Sequence, residues 1–253
     1  MSAELQAIYV MWLRHVKLFA RARSRLIANI IQPFFFLAFL GIGLRPMSLP
    51  GMPRGLSYLD FLAPGMIAMS VIFSSMFAGL SVIWDRQFGF LKEVLVAPVS
   101  RLSIVVGRTL GGSTVALIQG LLVLAAGIAL GARISIQGII PALIFMLLIA
   151  FFAVGLGLSI AVRLKDPDAF PLLMNLIMMP SIFLSTAFFP LESVSDWLRS
   201  LMYLNPLTYL VDGLRGFLTG SSSIPLAADL TAALALCAST TALGAYMFSK
   251  SEA

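Results

Sequence analysis

Six stretches of this chain contain no Asp, Glu, Lys or Arg, and each is long enough to cross a bilayer. They are Leu26 to Leu44, Phe61 to Trp84, Thr109 to Ala132, Ile134 to Val162, Ala169 to Leu191 and Leu230 to Ser249. A spanning helix takes about 20 apolar residues. In lipid each backbone donor and acceptor must be satisfied within its own segment, so runs of this length are read as helices. Barrel strands would alternate strictly over segments of about 10 residues, and these runs do not. The composition agrees: 60% of the 253 residues are hydrophobic and 11% charged, against roughly 25% charged in a soluble domain. The expectation is one all-α, polytopic transmembrane domain covering residues 1–253.

Six spans place both termini on one side, and the Lys/Arg distribution selects that side. With the termini inside, inner segments hold 12 Lys and Arg and outer segments 5, so both termini are expected in the cytoplasm. The net charge of +6 then speaks of orientation and anionic headgroups rather than of nucleic acid. Cys237 stands alone in the last run and offers no disulfide framework.

Three segments outside the runs carry a pattern of their own. Residues 2–25 place Leu5, Ile8, Tyr9, Trp12, Val16 and Phe19 on one side and Arg14, Lys17 and Arg21 toward the other, the pattern of an interfacial amphipathic helix. Its long basic region, with no small-x-small site after the first run, argues against a cleaved leader. Residues 84–108 carry Asp85, Arg86, Lys92, Glu93, Arg101 and Arg108, yet Phe88, Leu91, Leu95 and Val99 recur at helical spacing. A short amphipathic helix is expected, ending at Ala97 because Pro98 disfavours the α conformation before it, with a restart at Ser100 or Arg101. It either rests on lipid or docks a soluble partner. Residues 191–220 divide at Asn205-Pro206 into two helical pieces, Asp196 to Leu204 and Pro206 to Leu218, with Asn205 as cap and Asp212 and Arg215 spaced to pair. Neither piece can span. One reading is a re-entrant hairpin lining an outer gate, with Trp197, Asn205, Pro206, Tyr209, Asp212 and Arg215 as its residues. The other is a pair of surface helices anchored by Trp197, Tyr203 and Tyr209.

Within the runs, Gly112, Ala116, Gly120, Gly127 and Gly131 make one smooth face of the third, a common packing device. Whether its neighbour is in the same chain or a second copy is open at this level. Asn29, Gln32 and Asn175 are among the few polar side chains in the membrane. They mark a translocation path or an interface between copies, or serve as packing glue. Asp166-Pro167-Asp168 is a poor cage for a hard cation; Asp166 is expected as a helix cap with Pro167 at the first helical position.

Enzyme constellations are missing. There is one histidine, His15, and no His/Cys metal spacing, so no catalytic, cofactor-binding or metal residue is assigned. No G-x-x-x-x-G-K-[ST] loop occurs, and the runs lack the charges that ion-coupled transporters keep at mid-membrane.

Three stretches together with the six-run layout resemble a known family. They are YLDFLAPGMIAMS from Tyr58 to Ser70, FGFLKEVLVAPVSR from Phe88 to Arg101 and LNPLTYLVDGLRGFL from Leu204 to Leu218. The chain is similar to the membrane permease subunit of type-2 ATP-binding-cassette exporters, a family that includes daunorubicin-resistance, nodulation-factor and polysaccharide exporters. The resemblance implies an N-terminal connecting helix, re-entrant helices before the last span, and a cytoplasmic coupling helix in the first inner loop. Phe88, Leu91, Lys92, Glu93, Leu95 and Arg101 would then meet a separate ATPase. It further implies a non-catalytic chain without its own cofactor, two partner ATPase subunits that bind ATP and Mg, and a second permease copy or close relative. An amphiphilic drug, lipid or glycolipid would pass between the copies in a prokaryotic plasma membrane. The rival from another class is an energy-independent channel or scaffold; a channel should show a polar or charged pore ring, and none is evident.

Overall fold

A computed structural model describes residues 3–21, 23–47, 50–52, 55–96, 98–164 and 166–250, without the side chains of 23–26, 28, 91, 92 and 95. The described residues are all helix and connection. The helices are α1 (Ala3–Arg21), α2 (Arg23–Phe35), α3 (Tyr58–Gln87), α4 (Phe90–Val96), α5 (Arg101–Ala129), α6 (Ile139–Ala161), α7 (Ala169–Phe183), α8 (Asp196–Leu204), α9 (Pro206–Thr219) and α10 (Leu226–Ser249). Four of them, α3, α5, α6 and α10, are long and apolar enough to cross a membrane, and Asn29–Ile42 and Ala169–Phe183 are shorter apolar helices.

Local chemistry sets the helix ends. Ser57 and Asp60 form a reciprocal capping box at the start of α3, satisfying donors that the first turn cannot. Ser100 caps α5 by accepting from Ser103 N at 3.1 Å, as the restart expected there requires. The first apolar run is one continuous helical rod: α2 passes directly into a π-helical segment, Phe36–Ile42. Pro33 lies inside α2 and has no N–H for the carbonyl of Asn29, and the wider register follows within one turn.

Two expectations are corrected. The fifth run was expected to span from Ala169 to Leu191, but α7 stops at Phe183, about 22 Å of helix, and the chain turns through Leu184 to Pro190. Asp166 does not cap α7. Its Oδ1 accepts from Asp168 N at 2.9 Å, a local turn that competes with the helix, and α7 begins after it at Ala169.

α3 is the central rod, buried along most of its length and packed against α5, α6 and α9. Its crossing with α6 runs through Gly79 and Gly157, so close that a Cβ on Gly79 would lie 2.5 Å from the Gly157 carbonyl carbon. The smooth face of α5 is consumed within the same chain: Gly112 meets Ala78 and Val154, and Gly120 meets Met146 and Val71. Apolar side chains are left uncovered on the outer faces of several helices, among them Phe39 on the π segment, Leu172 and Leu176 on α7, Leu122 on α5 and Leu234 on α10.

Candidate functional site

The two ends of the bundle hold different chemistry. At the α4 end, Phe88, two residues before the short helix, and Val96, its last residue, have 83% and 84% of their surfaces exposed. Between α4, α1 and the start of α5 runs a groove of about 450 Å³ lined by Gln6, Val10, Phe90, Glu93, Val94 and Val99 among others. Leu91, Lys92 and Leu95 fall on α4, but their side chains lie outside the described residues. Arg101 opens α5 and donates to the Ser249 carbonyl, placing a cation on the carbonyl end of α10 where the helix dipole favours it.

Behind α4 lies an ion cluster. Asp85 accepts from Arg108 Nη2 at 2.6 Å and from Arg14 Nη1 at 3.0 Å. The side chains of Asp85 and Arg108 are buried, at 7% and 0% exposure. Arg14 also stacks on the Phe90 ring of α4 at 4.0 Å, so one guanidinium touches the α4 helix and the central rod together. Arg86 donates to the carbonyls of Leu164 and Val162 at 3.1 and 3.2 Å, closing the end of α6. The sequence placed Arg14 on the polar side of a surface helix; it points into the bundle instead, because α1 packs along α5. A Cβ on Gly107 would lie 2.7 Å from the Ile8 carbonyl, and one on Gly111 2.6 Å from His15 Cβ. Glu4 accepts from Ser100 N at 3.0 Å and Trp12 Nε1 donates to Thr114 Oγ1 at 3.1 Å, so the two helices run in the same direction. A signal for Asp85 and Arg108 existed in the sequence: opposite charges directly flank the end of the second run and the start of the third.

Hydrogen bonds from Ser103 and Ser100 hold the Glu4 carboxyl below its ordinary range. His15 is pushed down to about 4, first by burial and then by the Arg108 and Arg14 charges, with Asp85 opposing. The imidazole is therefore neutral at physiological pH.

At the other end lie α8 and α9, the two helical pieces that the Asn-Pro pair announced, joined by Asn205 alone. Asn205 Oδ1 accepts from Leu207 N at 3.0 Å and caps α9, while Nδ2 donates to the Leu184 carbonyl at 2.8 Å and to the Ser181 carbonyl. One amide thus serves the start of α9 and the end of α7, which explains how α7 can stop short with its last carbonyls satisfied. Asp212 and Arg215 pair at 2.9 Å, both buried. Asp212 also accepts from Ile224 N at 2.8 Å. Arg215 donates to the Phe61 and Thr186 carbonyls and stacks on the Phe61 ring at 3.8 Å. Nearby on α10, Asp229 is fully buried with neither carboxylate oxygen hydrogen-bonded. Asp212 and Arg215 therefore lock α9 into the core. Trp197 on α8 stays exposed and Tyr209 OH donates to the Tyr203 carbonyl at 2.9 Å; Pro206 opens α9.

Asn29, Gln32 and Asn175 come together. All three line one cavity of about 170 Å³, walled by Phe36, Phe73 and Met179. No group of three or more His, Cys, Asp or Glu able to hold a metal is found among the described residues.

Comparison with known proteins agrees with this architecture. Residues 6–218 match the family model of the ABC-2 type transporter. The chain is 28% identical over 224 residues to the inner membrane transport permease YadH of Escherichia coli K12, covering 87% of this chain and 86% of that one. It is 34% identical over 203 residues to the transport permease ycf38 of Porphyra purpurea, covering 77% and 68%. To the doxorubicin resistance ABC transporter permease protein DrrC of Mycobacterium tuberculosis it is 28% identical over 207 residues, covering 79% and 72%. With a match across most of its length and a bundle of apolar helices to go with it, the chain belongs to the ABC-2 type transporter family.

Proposed function

We propose that the chain is the membrane half of an ATP-driven exporter, working with two ATPase subunits that bind ATP and Mg and with a second permease copy or close relative. The observation that carries this reading is the exposed apolar tip of α4, Phe88 and Val96 beside the groove against α1. Exposed large apolar side chains at the end of a membrane bundle favour a partner surface. The coupling residues are Phe88, Leu91, Lys92, Glu93, Leu95 and Arg101. Through Phe90 and Arg14 this tip is joined to Asp85 on α3, which gives a displacement of α4 a rigid route into the bundle.

The uncovered faces of α2 and α7 supply the interface for a second copy. The cavity at Asn29, Gln32 and Asn175 between them suits an amphiphile more than an ion. In this reading α2 with its π segment and α7 complete a six-span layout, and both termini and α4 are cytoplasmic in a prokaryotic inner membrane. The α8–α9 hairpin restricts the outer exit. A relative named for doxorubicin resistance is in keeping with an amphiphilic cargo. Co-purification tests the proposal: a tagged permease expressed with its candidate ATPase is expected to retain it at two ATPases per two permeases. A permease that transports in proteoliposomes without any ATPase would favour the channel reading instead.

A further inference from the structure

Between α1, α2, α3 and α5 lies a second cavity of about 280 Å³, with apolar walls that include Leu18 and Phe77 and polar walls that include His15, Asn29, Ser81 and Trp84. From Arg108 to the turn at Gly131, α5 rises about 35 Å, close to the thickness of the hydrocarbon core. The cavity therefore sits just inside the membrane face beside α1, at the depth where tryptophan is favoured. Leu18, half exposed, stands on the outer surface at its rim.

The charges behind the polar wall do not balance. Arg108 Nη1 donates to Ser81 Oγ at 3.5 Å, and Ser81 lines the cavity. Arg108 and Arg14 share a single carboxylate, Asp85, which leaves one positive charge in excess. Arg86, next on α3, donates from Nη1 and Nη2 to carbonyls and adds a further cation with no carboxylate partner among the described residues. Arg108 is fully buried, and its Nε has no hydrogen-bond partner. Surplus charge in a low-dielectric site is costly, and an anion brought to the wall offsets it. A cationic group would meet repulsion there, and neutral His15 adds hydrogen-bonding capacity without adding charge.

We propose that this cavity binds a phospholipid with an anionic head, taken from the leaflet beside α1, its head at His15, Asn29 and Ser81 and its chain along Leu18 and Phe77. The mixed lining and the cationic surplus agree on that class of ligand, and the site stands whether or not the chain exports anything. In the orientation proposed above, this leaflet is the cytoplasmic one, where anionic lipids attract basic segments.

Trp84 lines the site and gives the readout. The full-length permease carrying Trp12→Phe and Trp197→Phe is titrated in neutral detergent with brominated phosphatidylglycerol or brominated phosphatidylcholine of the same chains. Quenching is expected at about tenfold lower phosphatidylglycerol concentration. Arg14→Gln, which removes the excess charge of the Asp85 cluster, keeps the Arg108 to Asp85 pair and leaves Arg86 alone, should shrink the preference to about twofold. A variant whose sole tryptophan is Trp197, at the hairpin end, should show no preference. Native mass spectrometry of the unsubstituted protein provides a second reading: one retained phosphatidylglycerol, lost in Arg14→Gln. Equal quenching by the two lipids, or the same preference at Trp197, would overturn the site. Competition by inorganic phosphate as effective as that by the lipid would overturn the lipid assignment.

Discussion

Arg14 Nη1 donates to Asp85 at 3.0 Å although 71 residues separate them. This contact fastens the first helix of the chain to the central rod, and Arg108 completes the cluster from α5. Removing the shared carboxylate strands a fully buried guanidinium, which costs about 3 to 5 kcal/mol. Removing Arg14 leaves the inner pair whole and should cost about 1 to 2 kcal/mol. Asp85→Ala is therefore expected to lower the thermal midpoint in detergent well below that of Arg14→Ala. Equal midpoints would show that Arg108 does not depend on Asp85.

Asn205 is expected to be irreplaceable by its charged relative. Asp at this position keeps an oxygen to cap α9 but loses the two donations to the carbonyls that end α7. If capping alone mattered, Asn205→Asp would match the native protein. Our expectation is that both Asn205→Asp and Asn205→Ala lose about 1 to 3 kcal/mol in reversible unfolding, with Asp no better than Ala.

These two sites differ in how far the sequence revealed them. The bounds of α8 and α9 were readable almost to the residue, because Asn-Pro followed by an apolar periodicity fixes a helix start locally. The end of α4 and the start of α5 were readable from equally local signals, Pro98 and Ser100. The ion cluster was not, since its bonds join residues 71 and 23 positions apart and periodicity gives a helix its faces without saying which neighbour each face meets. Arg14 looked like a solvated cation for that reason. The smooth face of α5 was visible, but its internal use was not. The early end of α7 stayed hidden because the run of apolar residues continues past it, and only the distant Asn205 makes the stop affordable.

A methyl group added at Gly79 has nowhere to go. Gly79→Ala should cost about 2 to 3 kcal/mol by forcing α3 and α6 apart. Gly43, with φ of −61° and nothing within 4 Å of an added Cβ, is the contrast. Gly43→Ala should match or exceed native stability by up to about 1 kcal/mol. Chemical unfolding of the two variants side by side checks the pair.

Acid should loosen α1 through His15. Its folded pKa of about 4 lies below the ordinary 6.5, so the unfolded chain takes up a proton first as pH falls. Stability is full above about 6.5, declines through the interval down to about 4, and levels off below. His15→Gln is expected to flatten the thermal midpoint between about pH 7 and pH 5, where few carboxylates titrate. An unchanged slope in that variant would place the acid sensitivity elsewhere.

An ATPase that drives this bundle through α4 needs the apolar surface of Phe88 and Val96, and a double substitution removes it. Phe88→Asp with Val96→Asp leaves every contact of the ion cluster in place and alters only exposed apolar surface. In proteoliposomes holding the permease and its ATPase, substrate-stimulated ATP hydrolysis should fall about tenfold or more, a loss of about 1.4 kcal/mol in coupling, while membrane insertion and thermal midpoint stay native. Full stimulation in the double variant would show that coupling does not pass through Phe88 and Val96.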